Sequence, residues 1–225
     1  MRQSNWKNRL NNMPFMTYGL LAITFAVYLL ETLKGGSTNT MVLLDLGARY
    51  NPLIAQGEWW RLFTPMFLHI GLMHLVVNAV SIYYLGMMTE QIFGHARFLA
   101  IYLLSGIAGN YVSMVFNANA LAAGASTAIF GLFGAFLMLG DNFRENPAIR
   151  SIAQQYLLLV GINLVFNLFG SGIDIAGHIG GLIGGFLVAG VLGAPNIGLI
   201  NRNRRILMGV VLVIAVVAVA MIGVM

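Results

Sequence analysis

The side chains in this sequence that could carry out chemistry are few, because most of the chain is apolar. Ser126 stands in a run of small residues, Gly124-Ala125-Ser126-Thr127-Ala128, and His178 follows in a later apolar stretch. A serine hydroxyl is a weak nucleophile until a base removes its proton, and neutral histidine is the usual base at physiological pH. Ser126 and His178 are therefore candidates for a nucleophile and its base. They belong to different helices, and close packing of those helices is expected from small residues, Gly181, Gly184 and Gly185 beside Gly131 and Gly134.

His74 and Asn78 are candidates for hydrogen-bond donors beside this pair. They are four residues apart in an apolar stretch, so they share one face of a helix. Acyl transfer needs donors aimed at the oxyanion that develops on the attacked carbonyl. The first backbone N–H groups of a helix are free for the same purpose, and Ser126 is predicted to open a helix. The four residues together predict acyl transfer through an activated serine.

The composition shows what kind of molecule must hold these residues. Of 225 residues, 59% are hydrophobic and 8% are charged, against about 25% charged in soluble domains. This excludes a soluble globular enzyme. The net charge of +5 is scattered over short loops, so nucleic acid is not an expected partner. With no cysteine, the chain has no thiol nucleophile, thiolate metal site or disulfide.

The apolar stretches predict an all-α membrane protein with seven transmembrane helices. The stretch 98–140 is long enough for two of them, divided by the polar Asn117-Ala118-Asn119. The predicted spans are Phe15–Leu30, the inner part of Leu62–Thr89, two within Phe98–Gly140, and about Ser151–Phe169, Ile175–Gly193 and Ile206–Met225. We expect a short basic cytoplasmic tail at 1–14, a six-helix core at 15–194, and a cytoplasmic linker with the seventh helix at 195–225.

The basic residues predict the orientation of these spans. A cytoplasmic N-terminus and an outer C-terminus place nine of them inside and three outside. The inner set is Arg2, Lys7, Arg9, Arg97, Arg144, Arg150, Arg202, Arg204 and Arg205, and the outer set is Lys34, Arg49 and Arg61. The first apolar run is expected to remain as an anchor in the plasma membrane. This topology places His74, Asn78, Ser126 and His178 in the same outer leaflet.

The depth of Ser126 follows from the length of its helix. Ser126 to Gly140 is 15 residues, about 22 Å of helix, which is less than the roughly 30 Å hydrocarbon core. Ser126 is therefore expected below the outer surface. The preceding segment, Asn117 to Ala125, must then enter the membrane, where protein or water has to cover its backbone. A water-filled cavity is predicted.

Other polar residues are expected to serve the structure. The long connection from Lys34 to about Leu68, with Glu58-Trp59-Trp60-Arg61, is interpreted as a structured outer loop with interfacial aromatic residues. His69 is expected to hold that loop, and His95 is expected to be solvated in a cytoplasmic turn. Arg61 and Glu90 are each expected to fix local loop or helix-end structure. Asp174 is expected to cap the sixth helix, with a place beside His178 as a third catalytic group as the alternative.

The motifs together resemble those of the rhomboid intramembrane serine proteases, over about Glu58 to Gly185. The resemblance lies in Gly124-Ala125-Ser126 followed by Ala128-Ile129-Phe130-Gly131-Leu132, in His178-Ile179-Gly180-Gly181, in His69-x4-His74-x3-Asn78, and in Trp60-Arg61, Tyr84-Leu85-Gly86, Glu90 and Gly181-x3-Gly185. It implies a six-helix rhomboid-like core with one added C-terminal helix, and transmembrane proteins as substrates. It also implies that Ser126 is the nucleophile, that His178 is the base of a dyad, and that His74 and Asn78 stabilise the oxyanion.

Three positions depart from the pattern that the resemblance leads us to expect. Thr127 stands where the family usually has the second glycine of its Gly-x-Ser-Gly motif, and its β-branch restricts the backbone beside the nucleophile. Phe130 stands where the family often has tyrosine, so it can stack on the base without a hydroxyl group. Gly177 stands where the family usually has alanine. The resemblance also implies a mobile gate, either the fifth span, Ser151 to Phe169, or the loop at Gly170 to Gly172.

Three other functions stay open at the level of sequence. Thr127 permits a rhomboid-like pseudoprotease that binds client helices without cutting them. Buried histidine and aspartate residues permit a transporter or proton-coupled channel, although the polar residues occupy only one leaflet. His69, His74 and His178 permit a zinc site, although no His-Glu-x-x-His motif occurs. We expect no metal and no cofactor, and the sequence leaves the oligomeric state unknown.

Overall fold

The computed structural model describes residues 13–169 and 173–224, and in this part of the chain the secondary structure is helical. The predicted tail thus lies almost wholly outside the described residues, as does the predicted gate loop at 170–172. The long helices are α1 (Phe15–Leu33), α4 (Leu72–Phe93), α5 (His95–Phe116), α6 (Ser126–Asn142), α7 (Pro147–Phe169), α8 (Ile175–Leu192) and α9 (Arg202–Val224). Between α1 and α4 lie α2 (Thr40–Asp45), α3 (Asn51–Ala55) and two 3₁₀ turns, Trp59–Leu62 and Thr64–Phe67.

Six of the seven long helices are long and apolar enough to cross a membrane. They are α1, α4, α5, α7, α8 and α9. The remaining helix, α6, has 17 residues, about 26 Å at 1.5 Å per residue. It begins at Ser126, as predicted, and the break between α5 and α6 covers the predicted Asn117-Ala118-Asn119. The prediction of an all-α membrane protein is confirmed.

Helix α6 is the centre of the fold. Its side chains are almost all buried from Thr127 to Met138, and it packs against α5, α7 and α8. Helix α9 lies outside this core, where Met208 contacts α8 at Gly190. Because α6 is covered on every side, a residue at its first turn is held by the packing of several helices.

The long connection between α1 and α4 is structured, as predicted. Arg61 is buried and donates to the carbonyl oxygens of Leu44 at 2.7 Å and Ala48 at 3.0 Å, with an ion pair to Glu58 at 2.5 Å. Its predicted local role is confirmed. Trp59 and Trp60 are more than half exposed, as expected for interfacial anchors.

Candidate active site

The segment that leads into α6 is held by contacts with the connection between α1 and α4. Ala122 and Arg49 exchange two backbone hydrogen bonds of 2.9 and 3.1 Å, and Gly124 N–H donates to the Pro65 carbonyl at 2.8 Å. Gly124 has a φ of +141°, a conformation that other residues rarely adopt. Protein therefore covers the backbone at these two points, and the segment delivers Ser126 to the start of α6.

Ser126 and His178 form a hydrogen bond across two helices. The distance from Ser126 Oγ to His178 Nε2 is 2.9 Å. The imidazole ring stacks on Phe130, with ring centroids 4.2 Å apart and planes 6° apart. His178 is 7% exposed. When Nε2 carries no proton, this geometry lets His178 accept the serine proton, which is the requirement for nucleophilic catalysis by serine.

Glycine residues allow α6 and α8 to approach closely enough for this bond. A Cβ atom on Gly185 would overlap the backbone of Gly131, and one on Gly181 would overlap the carbonyl of Thr127. A Cβ on Gly134 would overlap the backbone of α8 at Leu182. The predicted role of these three glycines in the close approach of α6 and α8 is confirmed. Gly184 is predicted at the same interface, but it does not face α6.

Gly184 and Gly180 face α5 rather than α6. A Cβ on Gly184 would lie 2.8 Å from the Cβ of Ala108, and one on Gly180 would lie 2.6 Å from the Cβ of Val112. The prediction that Gly184 packs beside Gly131 and Gly134 is wrong, because successive residues of a helix point in different directions.

Asp174 caps the N-terminus of α8. Its carboxylate accepts from the backbone N–H of Gly177 at 3.1 Å and from the hydroxyl of Ser113 at 2.5 Å. The predicted cap is confirmed. The bond to Ser113 also ties the start of α8, and with it His178, to α5.

His74 and Asn78 lie beside the Ser126 and His178 pair. The Ile70 N–H donates to His74 Nδ1 at 3.3 Å, so the proton of the neutral imidazole is on Nε2. The ring faces Gly124, where an added Cβ would lie 2.9 Å from Nε2. Asn78 is buried and donates from its amide to the carbonyl of His74 at 2.8 Å. Each of the two side chains therefore has a hydrogen-bond donor at the site.

A cavity of about 760 Å³ connects all four candidate residues. Its walls come from α4, the segment before α6, α6, α7 and the start of α8. They include His74, Asn78, Ser126, Phe130, Asn163 and His178. The structure thus brings together every site residue that the sequence predicts, in a chamber that is both polar and apolar.

Thr127 fits between glycines of the neighbouring helices. A Cβ on Gly109 of α5 would lie 2.8 Å from the Thr127 Cβ, and one on Gly177 would lie 3.1 Å from its methyl group. The absence of a side chain at 177 thus leaves room for the Thr127 methyl group, and also for the Asp174 carboxylate, which would lie 2.5 Å from that Cβ. With threonine at 127, the Ser126 to His178 distance is 2.9 Å.

His69 is fully buried in the turn before α4, and its ring lies 5.3 Å from the ring of His74. Burial, followed by the nearby His74, lowers the pKa of His69 to about 4. Among the described residues, no group of three or more histidine, aspartate or glutamate side chains could hold a metal ion. The zinc alternative therefore finds no cluster to support it in this part of the chain.

Several tertiary contacts are not predicted by the sequence. His95 is not simply solvated, because its Nδ1 lies 2.5 Å from Glu90 and its ring packs against Phe15 at a tilt of 36°, with the ring centroids 4.0 Å apart. Glu90 also accepts from the backbone N–H groups of Met16 and Thr17, so it anchors the start of α1 and not only its own helix end. Glu90 is only five residues from His95, whereas Phe15, Met16 and Thr17 lie more than 70 residues from the side chains they meet.

The sequence likewise does not predict the hydrogen bonds of two buried charged residues, Arg49 and Glu31. Arg49 is fully buried and donates to Asn51 at 2.9 Å and to the carbonyl of Asn117 at 3.3 Å. Glu31 is fully buried near the end of α1 and accepts from the backbone N–H of His69 at 2.9 Å. In the sequence each of these residues is a single charge at the border of an apolar stretch. This pattern does not identify the residue to which the side chain bonds.

Comparison with known proteins identifies the family of this chain. A family model described as Rhomboid domain matches residues 56–195, which contain all four candidate residues. The chain belongs to the rhomboid family. It is 44% identical over 203 residues to "Rhomboid protease GluP" of Bacillus subtilis, covering 90% of this chain and 39% of that protein.

A second relative matches over most of both chains. This chain is 34% identical over 190 residues to "Putative rhomboid protease YdcA" of Bacillus subtilis, covering 84% of this chain and 94% of that protein. "Rhomboid-like protease 3" of Toxoplasma gondii is 35% identical over 149 residues, covering 65% of this chain and 57% of that protein. The chain thus spans well under two thirds of the GluP and Toxoplasma relatives. Its apolar helices and its family make it a multi-pass membrane protein.

Proposed function

We propose that this rhomboid-family protein is an intramembrane serine endopeptidase that cleaves transmembrane protein substrates near the outer membrane face. The observation that carries the proposal is the 2.9 Å contact between Ser126 Oγ and His178 Nε2, at the wall of a cavity of about 760 Å³. Relatives named as rhomboid proteases support the same activity. No metal or cofactor takes part in the proposed reaction.

The proposed reaction passes through an acyl-enzyme. Ser126 Oγ attacks the scissile carbonyl carbon while His178 Nε2 accepts the hydroxyl proton. The tetrahedral intermediate collapses, the C–N bond breaks, and His178 gives its proton to the leaving amine. Water then attacks the ester, again with His178 as the base, and releases the new carboxyl group and free Ser126.

His74 and Asn78 would stabilise the oxyanion of both tetrahedral intermediates. The Nε2–H of His74 is a donor beside the start of α6, and Asn78 has amide protons at the same cavity. The backbone N–H groups of the first turn of α6 add donors at the positive end of the helix. Removal of one such donor in a serine protease costs about 10²- to 10³-fold in kcat.

A substrate helix would enter the cavity between α4 and α7. Val77 and Ser81 of α4 and Asn163 of α7 line this side of the cavity, and α7 has largely exposed apolar side chains from Leu157 to Val165. The substrate must partly unwind so that its scissile amide reaches Ser126. We therefore propose α7 as the mobile gate. Cross-linking α7 to α4 through introduced cysteines should abolish cleavage, and full cleavage by the cross-linked protein would refute the gate.

The charge distribution supports the proposed orientation of the chain. A cytoplasmic N-terminus and an outer C-terminus agree with the nine-to-three division of basic residues. We propose the plasma membrane as the location of this topology. In this proposal residues 15–194 are the catalytic core, and residues 195–225 add a helix that packs on α8.

The first test is mass-spectrometric labelling with a fluorophosphonate in detergent. Labelling should occur at Ser126 in the parent protein, and should be lost in Ser126→Ala and His178→Ala. Gly19→Ala in α1 is a matched control, because nothing lies within 4 Å of a Cβ at that position. A folded parent that does not label would refute an activated serine and would favour a protein that binds client helices without cutting them.

A further inference from the structure

Three successive backbone N–H groups in the turn before α4 each donate to a side chain. His69 N–H donates to Glu31 Oε1 at 2.9 Å, Ile70 N–H to His74 Nδ1 at 3.3 Å, and Gly71 N–H to Ser37 Oγ at 3.3 Å. We call residues 69–71 the amide turn. The outer two acceptors belong to α1 and to the loop after it, whereas the middle acceptor is a candidate oxyanion residue.

The middle bond decides which nitrogen of His74 carries a proton. Because Ile70 N–H occupies Nδ1, neutral His74 is protonated on Nε2. Nε2 is the atom on the side of Gly124, where the segment that leads to Ser126 passes. If Ile70 N–H turned away, the ring would be free to rotate or to move its proton to Nδ1, and the site would lose a directed donor.

The outer two bonds hold Ile70 in this direction. Glu31 is fully buried and Ser37 is 7% exposed, so water has little access to either acceptor and does not readily replace the backbone N–H groups. Gly71 has a φ of +81°, which gives the turn a conformation that most residues would resist. The carboxylate of Glu31 and the hydroxyl of Ser37 thus fix the amide turn on both sides of Ile70.

We propose that Glu31 is a positioning residue for the reaction, which acts through the amide turn to hold His74 as the Nε2–H tautomer that faces Ser126. This inference rests on the proposed function, because it assumes that His74 stabilises the oxyanion. Glu31 itself does not contact substrate. Its bond reaches 38 residues along the chain, from α1 to the start of α4, and makes α1 part of the site rather than only an anchor.

Nitrogen-15 NMR of histidine-labelled protein reads the tautomer without any need for activity. In the parent, His74 should show a protonated Nε2 and an unprotonated Nδ1, with its signals assigned by their loss in His74→Asn. Glu31→Ala removes the acceptor and should give a mixture of tautomers. Glu31→Gln retains a side-chain oxygen for His69 N–H and should restore the parent pattern. An unchanged pattern in Glu31→Ala would overturn the proposal.

Kinetics provide the second measurement. A displacement of about 1 Å near reacting atoms can cost 10²-fold, so Glu31→Ala should lower kcat by about 10- to 100-fold with KM nearly unchanged. Glu31→Gln should stay within about threefold of the parent, because its amide oxygen still accepts. If Glu31→Ala does not fold, Ser37→Ala tests the other end of the amide turn by the same two measurements, with a smaller loss expected.

Glu90→Ala is the matched control for a purely structural effect. Glu90 also bonds α1 to α4, but at the other end of α1, through the N–H groups of Met16 and Thr17. Its loss should reduce thermal stability and leave the His74 tautomer as in the parent. A tautomer change in Glu90→Ala equal to that in Glu31→Ala would overturn the positioning role. A parent that fails to label at Ser126 would refute the proposed function, whereas the tautomer result would still decide the role of Glu31.

Discussion

Gly185→Ala should move the side chains of Ser126 and His178 apart, although residue 185 lies seven positions after His178. A Cβ on Gly185 would lie 2.5 Å from the backbone C and Cα atoms of Gly131 and would overlap its carbonyl oxygen. Ordinary contact begins at 3.4 Å, so α6 and α8 must move apart by about 1 Å. Neither backbone can move aside alone, because each belongs to a buried helix.

The size of the effect follows from the position of Gly185 below the site. It lies seven residues after His178, or about 10 Å along α8. If the helices separate as rigid bodies by about 1 Å, the bond of 2.9 Å between Ser126 and His178 opens to about 3.9 Å, which is beyond hydrogen-bond range. We expect labelling and cleavage to fall by about 10²-fold, and stability to fall by about 1 to 3 kcal/mol.

The assay compares the rate of fluorophosphonate labelling with cleavage of a model transmembrane substrate in liposomes. Gly19→Ala in α1 should match the parent, because its added Cβ meets no neighbouring atom. Gly184→Ala crowds Ala108 on α5 and should lower stability with a smaller loss of labelling. Parent-like labelling by Gly185→Ala at an unchanged melting temperature would refute the argument that close approach of α6 and α8 sets the spacing of the pair.

Three further predictions concern the surroundings of the pair. Gly124→Ala should slow labelling of Ser126 by about 10-fold or more, because its Cβ would lie 2.7 Å from His74 Cε1 and its φ is +141°; an unchanged labelling rate would contradict this. Thr127→Gly should lower stability by about 1 to 3 kcal/mol in thermal unfolding, because it leaves a void between helices, while labelling persists; lost labelling would show that the threonine is needed. The pKa of His69 is about 4 in the folded protein and 6.5 in the unfolded chain. Between pH 6.5 and pH 4 the unfolded chain therefore binds one more proton, and the free energy of unfolding should fall by roughly 3 kcal/mol as the pH falls across this range. In His69→Gln the melting temperature should depend less on pH between 6.5 and 4. An unchanged pH dependence would refute this effect of His69.

The sequence predicted the parts of the site that depend on local pattern. The start of α6 at Ser126 follows from a run of small residues after a polar break, and the cap at Asp174 follows from an acidic residue at the border of an apolar stretch. The count of charges between spans predicts that the four polar residues share the outer leaflet. Each of these signals lies within a few neighbouring residues, so it predicts local structure without knowledge of the tertiary fold.

The contacts that the sequence did not predict join residues that are far apart along the chain. Glu90 reaches Met16 and Thr17 over more than 70 residues, and Glu31 reaches His69 over 38. A lone charge near a helix end indicates that some partner exists, since an unpaired buried charge is costly, but it does not say which. The wrong direction assigned to Gly184 has a similar origin, because a sequence does not state which neighbour each helix face meets.

The sequence by itself determined the helical class, the approximate spans, the starts of α1, α6 and α8, and the residue types of a serine and histidine pair with two further donors. Only the tertiary structure decided that the pair meets at 2.9 Å, that Gly177 leaves room for the Thr127 methyl group, and that Glu31 holds the turn that orients His74. The physical reason is that apolar periodicity and capping act within one or two turns of helix. The distance between two side chains on different helices depends instead on how closely the backbones pack, to within about 1 Å.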